Sequence, residues 1–252
     1  MRFTEEERVD RIWDKENGVQ LINRHSFYYS NDMRREELSD IWVQEPEHQR
    51  SASLAYNNGY YIGMDEIARH YVEDRENLLY ERLQPYCEKD PSLEKSRENL
   101  GKGASQMHTA TTPLIYISDD GKTAQYQGYQ LGYQSIGKPD GSADGYLEFG
   151  LIYADLVKEN GQWKIWHLVM EHDHTVEVGQ PYDEVPVLRP DSEDPLAIDY
   201  GHPTIEKTIY DPFYGWEYAY QDMPRPHAAY TDKRSYGPAG ELGKPYYERD
   251  GR

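Results

Sequence analysis

The chain has 252 residues, 29 % of them charged, and a formal net charge of −19 at pH 7. Such a negative surface repels nucleic acid and anionic lipid, so neither is expected as a partner. A single cysteine, Cys87, excludes an internal disulfide and fits a reducing compartment. The N-terminus lacks a secretory signal, and no apolar run approaches the roughly 20 residues that span a bilayer. These features predict a cytoplasmic protein.

The N-terminal part of the chain is predicted to be helical. Thr4 and Glu7 have the spacing of a capping box at the start of a helix over residues 5–16. Gly18 is expected to break or kink this helix, and a second helical stretch covers residues 19–29.

Two strand–turn–strand patterns dominate the middle of the chain. Residues 107–117 lead into the Asp-Gly dipeptide at 120–121, and residues 147–157 lead into the Asn-Gly dipeptide at 160–161. These dipeptides between apolar runs are strong hairpin signals because glycine accepts the positive φ of the turn. Helices followed by long hairpins predict an α+β fold with a curved, mostly antiparallel sheet.

Two further segments differ in composition from the rest. Residues 85–105 contain prolines and glycines and are predicted to be a partly helical insertion. Residues 176–252 contain ten of the 15 prolines and ten tyrosines, with few aliphatic residues. Because this segment cannot bury a core of its own, it is predicted to be an extended arm packed on the body or on a neighbouring subunit. A disordered tail is the alternative.

Tyrosine is unusually frequent, with 24 Tyr against 4 Phe. A phenol packs like any aromatic ring but has a polar tip that needs a partner. The excess is compatible with many half-buried surfaces. It is also compatible with a pocket lined by phenols that suits a hydroxylated aromatic ligand.

Several polar residues are candidates for chemistry. His108 opens the first long strand, where an imidazole facing a pocket would be a general acid or base, although a structural histidine is the alternative. Arg24 and Tyr28 share one helix face, next to His25. Arg24 would meet an anion there or extend its head into water. Asp32 is expected to cap the next helix or, alternatively, to orient a histidine.

A metal site is not expected. His172 and His174 are two apart on a predicted strand and would face the same side, but no third ligand is placed by spacing. The end of a strand is the alternative interpretation. The chain also has no P-loop, no dinucleotide-binding glycine motif, no serine-hydrolase elbow and no C-x-x-C. Nucleotide, nicotinamide and triad chemistry are therefore unsupported.

Taken together, residues 17–175 resemble the SnoaL-like branch of the nuclear-transport-factor-2-like superfamily. The segments that carry the resemblance are 31–38, 63–67, 106–115, 120–124 and 153–165. The resemblance implies a cone-shaped α+β barrel over residues 1–175, with helices packed in a strongly curved mixed sheet around one deep pocket. The arm over residues 176–252 would be a C-terminal extension, and a homo-oligomer, dimer or trimer, is implied as well.

The scytalone-dehydratase-like pattern within this superfamily can be compared residue by residue. It places its pocket histidine on His108, and its helix tyrosine and aspartate on Arg24 and His25. Its strand serine and asparagine fall on Gly150 and Ile152. The residue types differ at these last four positions, so the dehydration machinery of that family is not reproduced. The resemblance keeps a histidine base, a cation and phenols around a pocket.

These observations predict a cofactor-independent lyase, of the dehydration or retro-aldol type, or an isomerase that acts on a hydroxylated aromatic or polyketide-like compound. The expected catalytic residues are His108, Arg24, His25 and Tyr28. The expected substrate contacts are Tyr126, Asp32, Trp42, Thr112 and Ile152. Two alternatives are a non-catalytic small subunit of a ring-hydroxylating-dioxygenase-like complex and a binding protein for an aromatic ligand.

Overall fold

The computed structural model describes residues 3–56, 59–179, 202–206 and 223–242, except for the side chains of residues 173 and 174. Among the helices in these ranges, none is long and apolar enough to cross a membrane. The helical elements are α1 (Glu5–Ser30), α2 (Arg34–Asp40), α3 (Pro46–Ser51), α4 (Met64–Ala68), a π-helical turn (Arg69–Asp74), α5 (Arg75–Lys89) and a 3-10 turn (Arg97–Asn99). The strands are β1 (Ser53–Tyr56), β2 (Gly59–Ile62), β3 (Ala104–Ile117), β4 (Thr123–Gly137), β5 (Ala143–Glu159), β6 (Gln162–Glu177) and β7 (Ile205–Glu206).

The strands of the described residues form one open sheet in the order β3-β4-β5-β6-β1-β2-β7. β1 runs parallel to β6, and the other neighbouring pairs are antiparallel. Register shifts interrupt the long strands after Thr111, before Gly150 and before Leu156. Such bulges bend a sheet, so the long strands curve around the helices. The predicted α+β fold with a strongly curved, mostly antiparallel mixed sheet is confirmed.

Both predicted hairpins are present. At the β5–β6 turn, Asn160 has φ +50° and Gly161 has φ +81°, which fits the two positive values of a type I′ turn. Gly121 has φ +71° in the turn between β3 and β4. The dipeptide signals therefore placed the two turns correctly.

The N-terminal helix begins as predicted but does not end there. The Thr4 side chain accepts from the Glu7 backbone N–H, and the Glu7 carboxylate accepts from Thr4 N at 2.7 Å, so the capping box is confirmed. The expected break at Gly18 is wrong, because α1 continues through it to Ser30. A Cβ at position 18 would lie 2.4 Å from Ile115 Cδ1. Gly18 lets the helix lie close to β3.

The sheet has an inner face, which α1 and α2 cover, and an outer face. On the inner side, the largest hydrophobic core joins Ile22 of α1 to Tyr126, Ile152 and Leu168 of the sheet. The inner face therefore holds the largest core of the described residues.

The segment around Tyr236, in the predicted C-terminal arm, packs on the outer face, whereas residues 205–206 of the arm form the edge strand β7. Tyr236 joins a core with Tyr153, and its backbone N–H donates to Asp155 Oδ2 at 2.6 Å. Burial raises the pKa of Asp155 to about 7 despite this hydrogen bond. The Gln125 amide also donates to the Arg234 carbonyl at 2.9 Å. The rest of the arm lies outside the described residues, and the domain boundary stays a prediction.

Candidate active site

A glycine on the inner face allows two side chains to meet across a strand. His108 on β3, Gly132 on β4 and Glu148 on β5 lie opposite one another in register, so all three positions face the same side. His108 Nε2 lies 3.2 Å from Glu148 Oε2. A Cβ at position 132 would lie 2.9 Å from His108 Cε1 and 3.0 Å from Glu148 Oε2. The contact between the imidazole and the carboxylate thus depends on the missing side chain of Gly132.

The second ring nitrogen of His108 is also engaged. His108 Nδ1 lies 2.9 Å from the amide nitrogen of Gln130. Since that NH2 group only donates, Nδ1 accepts and the ring proton lies on Nε2, on the side of the ring that faces the Glu148 carboxylate. Burial, together with His172 and Arg34, lowers the pKa of His108 to about 3. At neutral pH the imidazole is therefore uncharged.

An aromatic ring and a buried cation lie beside His108. The Tyr29 ring meets the His108 ring edge-on, with 4.6 Å between centroids. The backbone N–H of His108 donates to Ser30 Oγ at 2.9 Å, which fixes the end of α1 to β3. The Arg34 guanidinium carbon lies 4.6 Å from the Tyr29 ring centroid and 4.7 Å from that of Tyr71. The two rings hold a desolvated positive charge inside the fold.

Asp32 links this cation to a second one. Its carboxylate accepts from Arg75 at 3.1 and 3.2 Å and lies 3.4 Å from Arg34 Nε. Burial alone would raise the pKa of Asp32, but the charges of Arg34 and Arg75 hold it below its usual value. The expected capping role is wrong, because Met33 is the N-cap residue of α2 and no side chain caps this helix.

A second polar group lies deeper in the interior, around the fully buried Glu37. Its Oε1 accepts from His25 Nδ1 at 2.8 Å and from Trp42 Nε1 at 3.0 Å, and its Oε2 accepts from the Tyr71 hydroxyl at 2.8 Å. Tyr29 connects this group to His108, since its centroid lies 5.8 Å from that of His25 and 6.2 Å from that of Tyr71. His25 and Trp42 therefore hold the Glu37 carboxylate in place through their hydrogen bonds to its Oε1.

Arg24 and Tyr28 lie together but away from His108. Arg24 is half exposed and forms an ion pair with Asp40. The Tyr28 hydroxyl donates to the same carboxylate at 2.7 Å. Of the two neighbouring helix residues, His25 faces the interior and Arg24 faces solvent.

The other predicted substrate contacts divide between the inner face and the surface. Tyr126 and Ile152 are buried on the inner face, in the same core. The Tyr126 hydroxyl lies over Gly128, 2.7 Å from where a Cβ would be. Burial raises the pKa of Tyr126 to about 12. Thr112 is exposed and has φ +53° at the register shift of β3.

His172 of the considered metal pair lies on the inner face, opposite Gly150 in register. Burial lowers the pKa of His172 to about 4. The side chain of His174 lies outside the described residues, so the pairing of the two histidines stays a prediction.

Sequence reasoning missed Arg34, Glu37, Gln130 and Glu148. Arg34 is buried and its neighbour Arg35 is exposed. The sequence does not reveal this difference, because the two arginines are adjacent in a short helix. The available signal was Gly132, because a glycine inside a predicted strand often marks a close approach.

The geometry agrees with a sequence comparison. The profile of the SnoaL-like domain matches residues 10–169. The chain belongs to the SnoaL-like domain family. The matched range begins within α1, includes α2, His108 and Glu148, and ends within β6.

Three solved structures illustrate the similarity to known folds. One is a protein of Novosphingobium aromaticivorans provisionally named a scytalone dehydratase, with 13 % identity, coverage of 68 % of this chain and 91 % of that one, and a TM-score of 0.47. Another is the hexachlorocyclohexane dehydrochlorinase LinA-type3 of Novosphingobium barchaimii, with 13 % identity, coverage of 71 % and 99 %, and a TM-score of 0.47. The third is the protein Aln2 of a Streptomyces species, with 14 % identity, coverage of 68 % and 94 %, and a TM-score of 0.42. A search of curated proteins finds no significant sequence match.

Proposed function

We propose that this SnoaL-like protein is a cofactor-independent lyase or isomerase that acts on a hydroxylated aromatic or polyketide-like small molecule. The observation that carries the proposal is the setting of His108. The imidazole is buried on the inner face and uncharged, and its Nε2 lies 3.2 Å from a carboxylate oxygen of Glu148. Its other nitrogen holds a lone pair, which is the form that a general base needs.

His108 Nδ1 is the proposed proton acceptor. A substrate O–H or C–H group would take the place of the Gln130 amide at this nitrogen. When the imidazole takes up the proton, its new positive charge lies 3.2 Å from the Glu148 carboxylate. The negative charge of Glu148 would therefore stabilise the protonated imidazole, and Glu148 itself would take no proton.

Arg34 is the proposed stabiliser of negative charge, in place of Arg24. Its guanidinium is buried between Tyr29 and Tyr71, whereas Arg24 is bound to Asp40 at the surface. A fixed cation in a desolvated interior stabilises an oxyanion or enolate as its charge develops.

Two lyase reactions fit this set of groups. In a retro-aldol cleavage, His108 takes the proton of a substrate hydroxyl, the adjacent C–C bond breaks with release of formaldehyde, and the carbanion that remains is protonated by the imidazolium. In a dehydration, His108 takes a proton from carbon and returns it to the departing hydroxide as water. An isomerisation would return the proton to another carbon. The phenols of Tyr29 and Tyr126 provide aromatic surface for a ring-bearing substrate.

The test is a screen of aromatic 1,3-diols and β-hydroxy ketones, read by formaldehyde release and by the ultraviolet absorbance of a new conjugated double bond. We expect turnover by the wild type and a loss on the order of 100-fold or more in His108→Ala. His202→Ala, which changes an exposed histidine of the 202–206 segment, is the matched control. Equal turnover by wild type and His108→Ala would remove His108 as the base. Saturable binding of a diol without any product would favour the ligand-binding alternative.

A further inference from the structure

Glu45, His48 and Glu159 form a group at the surface, remote from the chemistry proposed for His108. Their ligand atoms, one ring nitrogen and two carboxylate oxygens, all lie within 4.8 Å of one another. His48 Nδ1 is 2.8 Å from Glu159 Oε1 and 4.0 Å from Glu45 Oε2. We propose that these three residues bind a divalent transition-metal ion, with zinc as the chemical class that fits best.

The ligand set and its spacing favour zinc. Imidazole nitrogen and carboxylate oxygen are both zinc ligands, with bonds of about 2.0–2.2 Å, so a tetrahedral ion has ligand atoms roughly 3.4 Å apart. The 2.8 Å separation would widen and the 4.0 Å separation would narrow by about half an ångström each. Three protein ligands leave a fourth position for water.

Glu159 is held in place as a metal-binding carboxylate usually is. Its side chain is 3 % exposed, and it accepts from the backbone N–H groups of Gln44 at 2.8 Å and of Glu45 at 3.1 Å. Burial would raise the pKa of Glu159, but these hydrogen bonds and His48 hold it below its usual value. Outer hydrogen bonds of this kind orient ligating carboxylates.

The ring of His48 is held in place by its neighbours. The ring lies 5.1 Å from the Trp166 ring, centroid to centroid, and the Trp166 indole is anchored by a 3.0 Å hydrogen bond to Ser51 Oγ. Nδ1, which now lies 2.8 Å from Glu159 Oε1, would bind the metal as the lone-pair nitrogen of the ring, with the ring proton on Nε2. Glu45 supplies the exposed carboxylate through which the ion enters.

The experiment uses the full chain, free of any affinity tag and of chelating buffer. Zn²⁺ is titrated calorimetrically, and Co²⁺ is titrated as a spectroscopic probe, because its visible bands report tetrahedral ligation. We expect one equivalent to bind the wild type, with at least about a tenfold loss of affinity in His48→Ala and in Glu45→Gln. His202→Ala, which removes an exposed histidine outside the group, should bind as the wild type does.

Glu45→Gln protects the test against misfolding, because the Glu45 side chain is exposed and the backbone N–H that holds Glu159 remains. Binding that is unchanged in His48→Ala and Glu45→Gln, or no binding by the wild type above that of the two variants, would overturn the proposal. The group would then serve only to fix the start of α3. Activity toward the diols is not part of this readout, so failure of the metal site and failure of the proposed enzyme are separate results.

Discussion

Gly132→Ala tests whether the space left by the missing side chain of Gly132 on β4 allows the contact between His108 and Glu148. The new Cβ would lie 2.9 Å from His108 Cε1 and 3.0 Å from Glu148 Oε2, whereas ordinary contacts are 3.4–4 Å. The ring and the carboxylate must therefore move by about half an ångström. This shift increases the 3.2 Å separation between His108 Nε2 and Glu148 Oε2 and weakens the electrostatic interaction between the ring and the carboxylate.

Stability and activity should respond very differently to this methyl group. Overpacking a well-filled site costs about 1–3 kcal/mol, and a chain of this size loses roughly 2–4 °C in Tm per kcal/mol. Turnover should fall on the order of 100-fold, because two groups pushed apart by about half an ångström each are misplaced by about 1 Å relative to one another, and a misplacement of about 1 Å has that effect. The expected variant is folded, modestly less stable and nearly inactive.

The assay combines thermal unfolding, turnover of a diol found in the screen, and the ¹⁵N NMR signals of the His108 ring. Gly101→Ala is the matched control, because a Cβ there meets nothing within 4 Å. The double variant with Glu148→Gln completes a cycle. If the space at Gly132 matters for activity because it lets Glu148 contact His108, adding Gly132→Ala to Glu148→Gln should cost little further activity. Full activity of Gly132→Ala with unchanged ring signals, or fully additive losses, would refute the reasoning.

Three further outcomes follow from buried groups. Glu37→Leu leaves three interior donors without their acceptor and should cost about 3–5 kcal/mol in urea unfolding; a loss below about 1 kcal/mol would contradict this. Gly18→Ala should destabilise α1 by about 1–3 kcal/mol because its Cβ meets Ile115, although Gly→Ala normally stabilises a helix. The pKa of Asp155 is raised in the folded protein, to about 7 from an ordinary value of 3.8. Its contribution to stability is therefore full below pH 3.8 and is lost as the pH rises to about 7. The loss is at most about 1.4 kcal/mol per pH unit. The difference between wild type and Asp155→Asn, measured from about pH 4.5 to 8, should show this slope, and a pH-independent difference would exclude it.

The elements that the sequence predicted correctly depend on local physics. The capping box and the Asn-Gly turn need only residues close in sequence, and both are present at Thr4 and at Asn160. The long hairpins followed from the same turn signals and from apolar runs. His108 also lies on the inner face, because the period of two in a strand fixes its side once one neighbour is known to be buried.

The candidate site was less predictable because it depends on contacts between distant strands and helices. The partner of His108 comes from β5, forty residues later, and reaches it only because β4 has a glycine in register. Gly18 looked like a helix break because local propensity ignores the strand packed against it. Arg24 and His25 differ by about 100° around α1, so a small error in helix rotation exchanges the exposed residue for the buried one.

Tyr71 shows why a tyrosine can be needed in the interior where phenylalanine would not serve. An interior that contains the buried Arg34 and Glu37 must provide a partner for a cation and a hydrogen-bond donor for an anion. Tyr71 does both, because its ring faces the guanidinium at 4.7 Å and its hydroxyl donates to the carboxylate at 2.8 Å. Phenylalanine would keep the first contact and leave Glu37 one donor short. The phenols therefore allow charged side chains inside a small core, and those charges are the groups from which proton transfer and oxyanion stabilisation can be built.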